Sequence, residues 1–128
     1  NCATMLRMDD RFIARFVAAG RVLFGIACLT APRQILAQWG KDASPVVLWW
    51  IRVFGIRDVV LGAGALVSLN EDQPSTTWVK AGAMADSADV VVTVLGRDEL
   101  GAAFVVPSLA VAGSAAALGW KATIGLSR

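Results

Sequence analysis

Four apolar blocks account for most of the chain: 12–31, 46–69, 78–95 and 102–120. Each is about 18 to 24 residues long, enough at a helical rise of about 1.5 Å per residue to cross a hydrocarbon core of about 30 Å. Backbone polar groups inside lipid must be satisfied within the structure, so such blocks can span as helices and not as open strands. The expectation is an all-α fold, an integral membrane four-helix bundle with short loops, forming a single domain over residues 1–128. Composition points the same way. Hydrophobic residues make up 56% of the chain and charged residues only 17%, which lies outside the usual range of soluble domains.

The blocks are joined by segments with turn chemistry. Ala31-Pro32 leads into a partly amphipathic stretch that ends at Ser44-Pro45, where Ile35 to Trp39 fits a short interfacial helix anchored by Trp39. An acidic, proline-containing loop covers Asn70 to Thr77, and Gly96 to Gly101 reads as a tight turn. The first block lacks the short apolar core and cleavage site of a signal peptide and is interrupted by Arg21, so it reads as a retained helix. The chain opens on Asn1, which makes Met5 and Met8 candidate natural starts.

Basic residues near the block ends set an expected orientation. Arg7, Arg11, Arg15, Lys80, Lys121 and Arg128 fall on the side of the N-terminus, against Arg33, Lys41 and Arg97 on the other. That bias places both termini in the cytoplasm of a multi-pass cell-membrane protein. Trp49, Trp50, Trp78 and Trp120 suit the headgroup region. The chain has no histidine, and Cys2 and Cys28 are widely separated, so neither a metal site nor a disulfide framework is expected. No cofactor motif is present, and a dispersed net charge of +2 gives no reason to expect nucleic acid.

Charges lie in the middle of three of the blocks: Arg21 in the first, Arg57 and Asp58 in the second, Asp86 and Asp89 in the third. A charge at the centre of a membrane helix costs roughly 2.5 to 3.5 kcal/mol on insertion scales, so such residues face a bundle interior and pair. All five are expected at one depth as a polar core, with Arg52 either completing the balance of charge or reaching outward. Small residues at steps of three and four support inward-facing seams. These are Ala18, Arg21, Gly25, Cys28 and Pro32 in the first span, then Ile51, Gly55, Asp58, Gly62 and Ala65 in the second. The third offers Gly82, Asp86, Asp89, Thr93 and Gly96, and the fourth Ala103, Pro107, Ala110, Ser114 and Ala117.

The segment Phe54-Gly55-Ile56-Arg57-Asp58-Val59-Val60-Leu61-Gly62 is preceded by Gly20-Arg21 to Ala31-Pro32-Arg33 and followed by Ala81-Gly82 to Ala88-Asp89. Together these resemble an uncharacterised family of small four-helix integral membrane proteins common in actinobacteria. The likeness covers most of the chain and rests on the glycine-x-arginine-aspartate motif and the paired aspartates. It implies a four-helix membrane fold and brings no established activity.

Function is left between classes. One expectation is a non-catalytic accessory subunit or lipid-binding module, whose partners are the bilayer, an apolar ligand, a larger membrane complex or further copies of itself. In that reading Arg21, Arg52, Arg57, Asp58, Asp86 and Asp89 form the ligand-binding or polar core. The alternative is an intramembrane acid-base enzyme of isomerase or cyclase type acting on an apolar lipid or isoprenoid. Asp86 or Asp89 would be its general acid or base, because two like charges three residues apart do not both ionise cheaply, and Arg57 its electrostatic partner. A proton-coupled exporter is disfavoured, since similar four-span exporters place an acid in the first span and this chain places Arg21 there.

Overall fold

The computed structural model describes residues 2–38, 44–71 and 75–128. Among the described residues six helices follow one another: α1 (Cys2–Thr30), α2 (Pro32–Ala37), α3 (Pro45–Leu69), α4 (Thr77–Leu95), α5 (Arg97–Leu100) and α6 (Ala102–Leu126). Among the described residues there is no strand. The fold is therefore all-α, with four long helices and two short ones. The segment 96–101, expected as a tight turn, contains the single turn of α5. Trp39 and Lys41, part of the expected interfacial segment and its flank, lie outside the described residues, and α2 begins earlier, at Pro32.

The breaks between helices have local causes. Ala31 precedes a proline, whose ring disfavours helical geometry in the residue before it, and its φ of −134° and ψ of 52° end α1. Pro32 then occupies the first turn of α2, where a missing N–H costs nothing. Helix α3 starts the same way at Pro45, with the Ser44 hydroxyl accepting from the Val47 amide at 3.3 Å as an N-cap. Gly101 joins α5 to α6 at φ 81°, a region that glycine enters without steric cost.

The long helices form a ring in the order α3, α1, α6, α4. Helix α1 lies against α3 over the largest interface, while α3 and α4 share the smallest. The α1–α3 seam is antiparallel and glycine-lined. A Cβ added to Gly25 would lie 2.5 Å from the Gly55 carbonyl oxygen, and one added to Gly62 would lie 2.5 Å from that of Ala18. Close approach of this kind is how small residues bring helix backbones together. At one end of the bundle α1 and α6 are neighbours, with the Asp10 carboxylate against Gly125. Across the end of α3, Arg15 donates to the Leu69 carbonyl at 3.4 Å and to Asn70 Oδ1 at 3.2 Å, satisfying a carbonyl that the helix itself leaves open.

The expected seam of the fourth span needs correction. Ala103, Ala110, Ser114 and Ala117 are exposed and Pro107 is only partly buried, whereas Gly119, Ala122 and Thr123 are buried. Gly119 packs against Ala83, where an added Cβ would meet the alanine Cβ at 3.0 Å. Alanine is so frequent along α6 that small-residue spacing marks several faces equally well, and the contact with α4 chooses among them.

The distribution of side chains is inverted relative to a water-soluble bundle. Ala14, Ala18, Ala65, Leu69, Val79 and Ala122 form a small core, and Arg21, Asp58, Ser68, Asp86 and Thr123 are buried with it. Phe12, Phe16, Leu23, Ile56, Val60, Val92 and Leu95 are exposed. By length and composition two segments can cross a membrane, Met8–Thr30 within α1 and Ala102–Leu126. Helices α3 and α4 also have spanning length but each carries three charges: Arg52, Arg57 and Asp58 in α3, and Lys80, Asp86 and Asp89 in α4.

Candidate functional site: a buried arginine and aspartate network

Three helices contribute to one charge network. Arg21 projects from α1 between α3 and α4 because Gly82 leaves room for it; a Cβ at Gly82 would stand 3.1 to 3.3 Å from the guanidinium. Its Nη1 donates to Asp58 Oδ1 at 3.2 Å, and its Nη2 donates to the Gly82 carbonyl at 2.9 Å and to Asp86 Oδ2. One side chain thus ties α1 to both of the other helices. The three side chains are almost enclosed, at 9% exposure for Arg21, 6% for Asp58 and 7% for Asp86.

The second half of the network links α3 to α4. Arg57 grips Asp89 through two parallel bonds, Nη1 to Oδ1 at 3.1 Å and Nη2 to Oδ2 at 2.7 Å. This fork geometry combines strength with fixed orientation. Arg57 Nη2 also lies 3.6 Å from Asp58 Oδ1, so Asp58 sits between the two arginines. Phe54, one turn earlier on α3, places its ring 4.4 Å from the Arg57 guanidinium carbon, and Phe24 of α1 meets Phe54 edge-on at 5.8 Å. The Arg57 and Asp89 side chains are more open than the rest, at 34% and 29% exposure.

Five of the six polar-core residues expected from sequence therefore meet, in the order Asp86, Arg21, Asp58, Arg57, Asp89. Arg52 does not join them. It is exposed on α3 and takes no part in the network, because its position nearer the start of the helix carries it away from the level of Asp58. Asp86 and Asp89, expected on one face of the helix, each meet a different arginine. Asp58 is the carboxylate that is shared.

Several partners were not singled out from the sequence. The Gly82 carbonyl and the Phe54 ring carry no motif of their own, although the Phe54 to Arg57 spacing of three puts them on one helix face. Trp120 is expected at the headgroups, and the sequence gives no sign of its bond to Ser87. Its Nε1 donates to Ser87 Oγ at 3.0 Å while the serine donates to the Ala83 carbonyl at 2.8 Å, so this indole turns toward α4 and joins α6 to it. Trp78 packs across Gly64, and Trp49 and Trp50 are exposed near the start of α3.

One small cavity adjoins Arg21. The cavity beside Arg21, lined by Ala14, Ala18, Leu61, Val79 and Ala83 among others, holds about 10 Å³, no more than one water. A wider surface hollow of about 560 Å³ is lined by Ala63, Gly64, Val67, Ser68, Glu71 and Trp78, with Ser75 and Thr77, and does not include the carboxylates of the network. Among the described residues no group of histidine, cysteine or carboxylate side chains could hold a metal ion. No family model matches the chain, and no curated protein or solved structure is similar to it.

Proposed function

We propose that this chain is a four-span integral membrane protein that performs no chemistry of its own, a non-catalytic accessory subunit or lipid-binding module whose charges fix how its helices pack. The observation that carries this reading is the satisfied network itself: every carboxylate in it has an arginine, and the adjoining space is about 10 Å³. An isoprenoid or sterol-like substrate needs a pocket of hundreds of cubic ångströms. The acid-base alternative, with Asp86 or Asp89 as catalyst, draws no support from the cavity beside Arg21, which is far smaller than that, and we do not favour it.

Support for four spans comes from the charges as well as from the apolar surface. Helices α3 and α4 carry six charges between them, and four of these, Arg57, Asp58, Asp86 and Asp89, are paired inside the bundle. The other two, Arg52 and Lys80, lie nearer the helix ends, where long side chains reach the headgroups. In this reading the chain belongs with the small four-helix membrane proteins its central motif resembles, and the common end of α1 and α6 faces the cytoplasm, following the basic residues there.

In this reading the protein meets partners and lipid through its exposed apolar helix surfaces. The test is purification from membranes that resist carbonate extraction, in mild detergent or nanodiscs, with native mass spectrometry as readout. Retained lipid or an added subunit is the expected result. A protein recovered alone, without bound lipid or a second subunit of any kind, contradicts the proposal.

A further inference from the structure

The network is enclosed at one end and open at the other. Arg21, Asp58 and Asp86 are sealed between three helices, but the Arg57–Asp89 pair reaches the outer surface where α3 and α4 diverge. Its surroundings there are apolar: Val53, one turn before Arg57, is 37% exposed, and Val92, one turn after Asp89, is 67% exposed. Two of the five N–H groups of Arg57 are spent on Asp89; its Nε, without a hydrogen-bond partner among the described residues, is itself buried and is not part of the open surface. On the four-span reading, this half-exposed ion pair faces hydrocarbon near the middle of the bilayer, where polar groups that lack partners are expensive.

We propose that this face is covered by a second copy of the same chain. Charge complementarity selects that occupant. Arg57 and Asp89 stand side by side on neighbouring helices, one positive and one negative, linked by two bonds. A two-fold axis along the bundle, in front of the pair, brings Asp89 of the partner subunit opposite Arg57 and Arg57 of the partner subunit opposite Asp89. Four charges then alternate around a square, and the same patch serves both copies, as a two-fold interface requires. Any other apolar helix laid on this face would shield the pair without offering it a charge. The exposed valines of α3 and α4 flank the square and would pack against the other copy.

This inference rests on the membrane reading above, and one preparation separates the two. Cysteine cross-linking is carried out in native membranes on a Cys2→Ser background, with buried Cys28 left in place. Val53→Cys beside the pair is compared with Leu23→Cys, an exposed position on α1. Oxidation is expected to give covalent dimer with Val53→Cys and none with Leu23→Cys. Cross-linking at both positions, at Leu23→Cys alone, or at neither in carbonate-resistant membranes overturns the dimer while leaving the membrane reading intact. Release of the protein by carbonate removes both.

A charge exchange adds a second readout. Copies carrying Arg57→Asp and copies carrying Asp89→Arg each lose homodimer, through like charges facing each other. Co-expressed with different tags, they are expected to recover each other in pull-downs. Failure of the mixed pair to associate, when both variants are present in the membrane, also overturns the proposal.

Discussion

Replacing Arg21 by methionine tests whether the network holds the bundle together. Methionine keeps an unbranched apolar stem and removes the guanidinium, so the packing beside Gly82 is largely preserved. What disappears is the donor to Asp58, to the Gly82 carbonyl and to Asp86. Asp58 retains Arg57 at 3.6 Å, but among the described residues Arg21 is the only ion-pair partner of Asp86, whose side chain is 7% exposed. Breaking a buried ion pair from one side costs about 3 to 5 kcal/mol, because a charge is left in low dielectric without its counterpart. That corresponds to a loss of roughly a hundredfold to a few thousandfold in the folding equilibrium. Reversible unfolding in mixed micelles, followed by tryptophan fluorescence and far-ultraviolet circular dichroism, measures it. The same argument makes a second demand: neutralising Asp58 and Asp86 together with Arg21, as Arg21→Met, Asp58→Asn, Asp86→Asn, should recover most of the loss, since removing a whole ionic group is far cheaper than orphaning one member. An Arg21→Met variant within about 1 kcal/mol of the parent, below the cost of a broken buried pair, refutes the reasoning. So does a triple variant no more stable than the single one.

Gly25→Val and Gly55→Val each force a side chain into a seam whose backbone atoms stand 2.5 to 2.7 Å from an added Cβ. Each should lower stability in the same assay by about 1 to 3 kcal/mol or more, whereas Gly20→Ala, with nothing within 4 Å, should raise it by a few tenths to about 1 kcal/mol through helix propensity. Trp120→Phe and Ser87→Ala remove the same hydrogen bond between α6 and α4, so each should cost about 1 kcal/mol and the double variant less than the sum. Cys2 is exposed and Cys28 buried; with the N-terminus in the cytoplasm, an impermeant thiol reagent should label intact cells only after permeabilisation, and labelling at Cys2 beforehand reverses the orientation. Amide exchange in detergent should be faster over Ala102–Leu118 than over Gly119–Leu126, because the buried residues of α6 are confined to its second half.

The elements most visible in the sequence were those whose spacing carried two signals at once. Gly55, Asp58, Gly62 and Ala65 combine small size with a charge that has to be buried, and all four are buried against α1 and its neighbours. Arg21, Gly25 and Cys28 do the same on α1. Where only one signal existed, pattern did not suffice. On α6 no charge fixed the face, and alanine-rich spacing pointed to residues that are exposed. The pairing within the network was not legible either, since the sequence gives five charges but not which carboxylate lies between two arginines. That depends on α1 inserting Arg21 across the space left by Gly82, a tertiary fact. Trp120 resembled an interfacial anchor because its inward hydrogen bond requires Ser87, thirty-three residues away.

Why a bundle with an apolar exterior should contain ions at all follows from the solvent proposed for it. In water, burial of leucine and phenylalanine both drives helices together and selects their faces. In hydrocarbon, a leucine gains little from leaving lipid for protein, so apolar burial does not distinguish one packing from another. What remains is close backbone contact, available where glycine and alanine align, and polar groups that are costly anywhere except beside a partner. The network acts through the second of these. Rotating α1 by one residue would turn Arg21 by about 100° and leave three carboxylates with a single arginine. Sliding α4 by one turn would carry one of Asp86 and Asp89 toward the other's cation and leave one of the two arginines without its α4 carboxylate. The charges therefore penalise alternative arrangements more than they stabilise the chosen one, and they act at α1, α3 and α4 but not at α6. Helix α6 carries no member of the network and is placed by packing instead: Gly119 on Ala83, Ala122 in the core it shares with α1, α3 and α4, Gly125 against Asp10, and one indole hydrogen bond to Ser87.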